Sequence, residues 1–230
     1  MKEVKVVIYV TGDTHGSIDI HKLNKKHFDD SKMTKNDYVI ICGDCGLVWY
    51  EQGQKDRWWQ KWLDRKKFTT LFVDGNHENH NMLDAMPVER WNGGKIHKVT
   101  DSIYHLMRGQ VFHMNGLKFF TMGGAASGDK KYRKENVSWW AREMPSNEEY
   151  QEAWTNLEQC NWKVDYVLTH TAPSNIQSML DAAKEQNQLT DFLLEVDKKL
   201  QYVKWYFGHF HDDKEIDERH ILLYNKILKI

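Results

Sequence analysis

Residues 4–16 read VKVVIYVTGDTHG, an apolar, β-branched run from Val6 to Val10 that breaks into Gly12-Asp13-Thr14-His15-Gly16. Runs of this kind and length form strands, and a strand is predicted over Val4–Val10. The flanking glycines permit the backbone bends that let Asp13 and His15, two residues apart, converge. The pattern recurs five times. Tyr38–Cys42 leads into Gly43-Asp44-Cys45-Gly46, Thr70–Val73 into Asp74-Gly75-Asn76-His77-Glu78, and Lys118–Met122 into Gly123-Gly124. Val164–Thr169 leads into His170, and Tyr202–Phe207 into Gly208-His209-Phe210-His211. Six strands therefore deliver polar clusters at their C-terminal ends, the edge of an α/β sheet where ligands bind.

Helical spacing between the strands predicts helices at about 17–28, 54–67, 146–160 and 188–200. The third opens on a capping box, Ser146 with Glu149, which satisfies two orphan amide donors. Further strand-rich stretches at Lys95–Leu106, Gln110–Met122 and His220–Ile230 point to an α/β fold with more than one sheet. Residues 1–230 are expected to form a single domain, since a chain of this size buries roughly 70% of its unfolded surface. Gly123–Pro145 is long for a connection and is expected to roof the site.

Ten Trp, 10 Tyr and 9 Phe in 230 residues exclude intrinsic disorder. With 32 Lys plus Arg against 33 Asp plus Glu, no global field recruits nucleic acid or an anionic membrane non-specifically, so any basic surface must be local; nucleic acid is expected as a substrate rather than as another kind of partner. Val6–Val10 is too short for a signal peptide, no stretch approaches the roughly 20 apolar residues of a membrane span, and three cysteines without a pairing pattern suit a reducing compartment. A cytoplasmic location is expected. Residues 54–67 carry six basic and two acidic residues with Trp58, Trp59 and Trp62; Trp58 and Trp62 read as the buried stripe of an amphipathic helix, more simply than as a nucleic-acid surface. Cys42-x-x-Cys45 straddles Asp44 and reads as coincidence.

Singly, each loop cluster could be a turn. Jointly they cannot, because independent turns would not share one edge. Asp13, Asp44 and Asn76 with His15, His77, His170, His209 and His211 all follow predicted strands. Three oxygen donors and at least four imidazoles are too many for one tetrahedral zinc and suit two divalent ions, Mn²⁺ first, with Fe, Zn²⁺ or Ni²⁺ also matching. Two ions about 3.5–4 Å apart clamp a phosphoester for hydrolysis.

In this order, Gly-Asp-x-His-Gly, Gly-Asp, Gly-Asn-His-Glu, a lone His after a strand and Gly-His-x-His resemble the calcineurin-like metallophosphoesterase superfamily over residues 12–211. The resemblance implies a four-layer sandwich, two mixed β-sheets face to face flanked by helices. It implies Asp13, His15 and His211 on one metal, Asn76, His170 and His209 on the other, and Asp44 bridging both. A hydroxide shared by the ions would attack the phosphorus of a phosphomonoester or phosphodiester, with His77 as general acid or as a partner for the phosphate charge. The protein Ser/Thr phosphatases of this superfamily continue the second motif as Gly-Asp-x-x-Asp-Arg, where this chain has Gly43-Asp44-Cys45-Gly46-Leu47-Val48. The missing carboxylate and guanidinium are sought in the 123–145 loop, where Asp129, Arg133 and Arg142 flank Trp139-Trp140. Arg133 and Arg142 are candidates to bind substrate phosphate, while the Trp pair anchors the roof or stacks on a flat group. The alternative, a non-catalytic scaffold of the same fold, requires eroded ligands, and none is eroded here.

Overall fold

The computed structural model describes residues 6–50, 53–180 and 186–230; Val4 and Lys5 of the first expected strand lie outside them. Among the described residues, the strands are β1 (Ile8–Thr11), β2 (Tyr38–Cys42), β3 (Thr69–Val73), β4 (Val88–Trp91), β5 (Gly94–Thr100), β6 (Ile103–Leu106), β7 (Gln110–Met114), β8 (Leu117–Met122), β9 (Tyr166–Thr169), β10 (Lys204–Phe207), β11 (Lys214–Glu215), β12 (His220–Leu222) and β13 (Ile227–Lys229). The helices are α1 (Gln54–Asp64), α2 (His80–Asp84), α3 (Asn147–Gln159), α4 (Ser174–Gln177) and α5 (Gln188–Lys199). One sheet runs β13-β1-β2-β3-β6-β5-β4 and the other β11-β12-β10-β9-β8-β7. Both mix parallel and antiparallel pairs. No helix among the described residues is long and apolar enough to cross a membrane.

Successive strand residues face opposite ways, and that alternation builds the layers. Ile8, Val10, Ile40, Cys42, Leu71 and Val73 meet Phe112, Phe119, Leu168 and Tyr206 of the opposing sheet in one apolar layer. Their neighbours Val39, Ile41 and Phe72 turn outward onto Ile20, Leu23, Leu63 and Leu83. On the far side, Phe120, Met122, Val167, Trp205 and Phe207 receive Ala153, Leu157, Ile176, Leu189, Leu193 and Val196. The result is helix, sheet, sheet, helix. Each such aliphatic or aromatic side chain contributes about 1.5–3 kcal/mol of burial.

The structure departs from the sequence-based expectations in three places. The helix expected at 17–28 is only a 3₁₀ turn, Ile20–Leu23. Asn24 ends it, its side-chain oxygen accepting the amides of Lys26 (2.9 Å) and His27 (3.3 Å), an Asx turn that outcompetes the helix. On α1, Trp58 is 58% exposed, and the buried phase is Trp59, Trp62 and Leu63. Strand β4 was not anticipated, although Asn92-Gly93 marks its hairpin with β5: both residues have positive φ (47° and 94°), as a two-residue type I′ turn demands.

Behind the strand ends, Asp74 is buried with Arg108, whose Nε donates to it at 2.8 Å, and with His105 Nε2 at 3.0 Å. His105 Nδ1 in turn lies 3.1 Å from His97 Nδ1. Burial opposes ionisation of Asp74, but the Arg108 guanidinium holds its carboxyl well below the usual range. Burial pushes His80 and His97 down to about 4 from 6.5. Arg108, Arg142, Asp74 and Asp84 face His80, while His105, Asp84, Asp74 and Glu149 face His97. Because the unfolded chain binds these two protons between pH 6.5 and 4 and the folded chain does not, their contribution is present above pH 6.5 and lost on acidification. Each should add a slope of up to about 1.4 kcal/mol per pH unit near pH 5. Denaturant titrations at several pH values should show it, and the His80→Gln/His97→Gln variant should flatten it; an unaltered slope would assign the acid sensitivity elsewhere.

Candidate metal and active site

Strands β1, β2 and β3 are mutually parallel, as are β8, β9 and β10, and the loops leaving them meet at one edge. The structure brings Asp13, His15, Asp44, Asn76, His77, His170, His209 and His211 together there. Asp13 is fully buried and accepts the backbone amide of His209 at 3.0 Å, with His211 Nε2 3.2 Å from its other oxygen. Asp44 Oδ2 lies 3.3 Å from Nε2 of both His15 and His170, while Oδ1 accepts the His77 amide at 2.7 Å. The donor atoms of Asp13, His15, Asp44 and His211 all fall within 4.8 Å of one another, a group that could hold a metal ion. Adjoining it, His170 Nε2 is 3.2 Å from Asn76 Oδ1, and the His170 and His209 rings are 4.9 Å apart.

This convergence is paid for in backbone strain. His15, Asp44, His209 and His211 all have positive φ (42°, 49°, 71° and 50°), a region that non-glycine residues occupy at a cost, Asp and His more readily than most. Glycine is needed where chains approach: a Cβ on Gly43 would stand 2.1 Å from His170 Nδ1, and one on Gly75 2.1 Å from Asp44 Oδ1.

Supporting bonds orient the imidazoles. His170 Nδ1 donates to the Cys42 carbonyl at 2.8 Å and His15 Nδ1 to Asp19 at 2.7 Å, which turns Nε2 of each ring towards Asp44. Asn76 Nδ2 donates to Ser127 Oγ at 3.1 Å, turning its oxygen towards His170. Burial disfavours charge on both histidines, yet the hydrogen bond and charge of Asp44 raise His15 to about 9, and Asp44 raises His170 to about 10. Buried carboxylates here demand positive charge, from protons or from a cation. Buried Glu78 accepts the amides of Gly75 (2.6 Å) and Gly46 (3.1 Å), tying the second and third loops together. Burial pushes the thiols of Cys42 and Cys45 up, which argues against redox chemistry there.

The His77 ring stacks against Trp49 at 6.2 Å. Arg133 lies along it, Nη1 3.5 Å from Nδ1 and Nη2 3.4 Å from Nε2, and pairs with Asp129 at 2.8 Å. Arg142 is placed differently. Its guanidinium bonds Asp84 (2.8 and 3.1 Å) and Glu149 (2.8 and 3.1 Å), bracing α2 against α3. Trp140 is buried with its ring edge-on to Trp49 at 5.2 Å, and Gly124 donates to the Asp74 carbonyl at 2.8 Å. Asp19, Trp49, Ser127 and Arg108 were not singled out by the sequence; only Asp19, four residues beyond His15, sits at a spacing that could have flagged it.

The family model for calcineurin-like phosphoesterases matches residues 6–213. The chain belongs to that family. It is similar to the lariat debranching enzyme of Schizosaccharomyces pombe, 29% identical over 160 residues that cover 62% of this chain and 33% of that protein. It is also similar to that of Drosophila pseudoobscura, 25% identical over 233 residues covering 89% and 42%. The chain thus spans between a third and about two fifths of the length of these relatives. The solved structure of phosphopantetheinyl hydrolase from Mycobacterium tuberculosis aligns with 96% of this chain and 90% of that one, at 16% identity and a TM-score of 0.47. Nothing about chemistry follows from a likeness at that level.

Proposed function

We propose that this chain hydrolyses a phosphomonoester or phosphodiester at a two-metal centre. The observation that carries the reading is Asp44, whose one oxygen is 3.3 Å from imidazoles on both sides of the cluster. Asp13, His15 and His211 would hold one ion, Asn76, His170 and His209 the other, and Asp44 both. This mixed oxygen and imidazole set suits Mn²⁺ and also Fe, Zn²⁺ or Ni²⁺. When bound, the ions supply Lewis acidity and lower the pKa of water from 15.7 towards about 7.

The chain's own residues do the rest. His77 is held between Trp49 and Arg133 at the rim of the cluster, placed to give a proton to the leaving oxygen. Burial, opposed by Asp44 and reinforced by Arg133, holds its pKa below the ordinary value, which makes protonated His77 a stronger acid towards that oxygen. Arg133, whose Nη2 lies 3.4 Å from His77 Nε2, would turn its guanidinium onto phosphate oxygens. Arg142, committed to Asp84 and Glu149, braces the roof instead. Ser127, Arg133 and Trp140 support the reading of 123–145 as a loop roofing the site within one domain. A non-catalytic scaffold is disfavoured by the complete donor set.

His77→Ala should keep its metal by elemental analysis and lose roughly 10²- to 10⁴-fold in kcat on an alkyl phosphate ester, whose alkoxide must be protonated to leave, and far less on p-nitrophenyl phosphate, whose leaving group needs no proton. A variant purified without metal would make His77 a ligand and overturn its role as acid.

A further inference from the structure

A cleft of about 260 Å³ opens directly off the site, with His15 and His77 at its inner end and Trp49, Tyr50, Lys55 and Trp59 along its walls. A second hollow of about 680 Å³ shares Trp49, Tyr50 and Lys55 and reaches Asn136 and Val137 of the 123–145 loop. Two histidines of the proposed centre form the end wall. A group esterified to a phosphate at that centre would extend into the cleft, so this inference rests on the phosphoesterase reading.

The walls specify what fits. Three aromatic side chains that remain partly open line the cleft, with Tyr50 half-exposed, and each part of the platform is braced. Buried Asp56 accepts the amides of Trp49 (2.7 Å) and Tyr50 (2.8 Å), fastening that segment to α1. His21 and Trp62 hold the Trp59 ring edge-on at 5.1 and 5.5 Å. A rigid aromatic surface of this kind binds flat rings with little ordering cost, and base stacking on it tolerates any sequence. Because Asp56 is spent on two amides, the charge the cleft offers is Lys55, which is exposed and makes no ion pair among the described residues. Further out on α1, the exposed Arg57, Trp58 and Lys61 repeat the combination of cation and ring.

We propose that the cleft binds a nucleotide unit esterified to the scissile phosphate, its base against the Trp49, Tyr50 and Trp59 surface and an anionic oxygen on Lys55. An aliphatic ester group would use the apolar area alone and make no use of the aromatic surface for stacking or of Lys55.

The test compares thymidine 5′-(p-nitrophenyl phosphate) with methyl p-nitrophenyl phosphate, which share a leaving group and differ in the nucleoside, using Mn²⁺-loaded protein. Binding of thymidine 5′-monophosphate is measured in parallel by calorimetry. The native chain should prefer the nucleoside ester at least tenfold in kcat/KM, mostly through KM. Trp59→Ala should remove most of that preference, a loss of roughly tenfold, Trp59→Phe should keep most of it, and Lys55→Ala should weaken nucleotide binding. Equal kcat/KM for the two esters, or a ratio untouched by Trp59→Ala, overturns the proposal. If neither diester is hydrolysed, p-nitrophenyl phosphate decides the phosphoesterase reading, which falls if that monoester is not hydrolysed either, and binding alone decides the cleft: nucleotide binding that Trp59→Ala removes upholds it, and no binding overturns it.

Discussion

Asp44→Asn should lower hydrolysis of any ester a thousandfold or more and leave the protein unable to retain a full complement of metal. The change preserves size and removes one charge. Asp44 is buried, faces His15 and His170 with one oxygen at 3.3 Å, and takes the His77 amide with the other. An amide can still accept from His77, so the third loop should stay in place. Facing the imidazoles, however, it offers no negative charge to a cation, and several kcal/mol of transition-state stabilisation go with the ions. Elemental analysis and single-turnover hydrolysis check this together. A variant that keeps both metals and most of its turnover would remove Asp44 from the bridge.

The second large effect concerns stability. Arg108→Leu should cost about 3–5 kcal/mol, because it leaves Asp74 as a buried charge without its main partner. The same guanidinium bonds the carbonyl of Arg142 at 2.8 Å and reaches Glu149 at 3.3 Å, so the loss also loosens the segment around Arg142 and its hold on α3. A thermal midpoint lower by roughly 10 °C is expected for a chain of this size. Asp74→Asn in the same background should recover part of it, since an amide is cheaper to bury than a carboxylate. A loss below about 1 kcal/mol in denaturant titration would mean that Asp74 does not depend on Arg108 to stay buried.

What was legible in the sequence was local. A strand that ends in a glycine-bracketed polar loop declares itself within a dozen residues, so β2, β3, β9 and β10 and the loops after them could be read, as could the capping box of α3. That six such ends share an edge follows from parallel pairing, which repeated strand-loop units favour. What was missed depends on competition or on distance. The expected helix at 17–28 yielded to one Asn side chain. The phase of α1 depended on which of two adjacent Trp residues faces the sheet, and the answer, Trp59, needs the sheet to be in place. The network of Asp74, His97, His105 and Arg108 exists because β6 lies between β3 and β5, an ordering that no single segment encodes. The approach of Arg133 to His77 likewise spans 56 residues along a loop whose path is set by Gly124, Ser127 and Trp140.

The measurement that bears most directly on the whole account is a titration of metal-stripped protein with Mn²⁺, following hydrolysis of p-nitrophenyl phosphate and bis-p-nitrophenyl phosphate at each step. Turnover of at least one ester should appear with added ion and level off at two equivalents per chain. Folded protein that binds two equivalents and hydrolyses neither ester, or one that is fully active without added metal, would contradict the two-metal phosphoesterase assigned to this site.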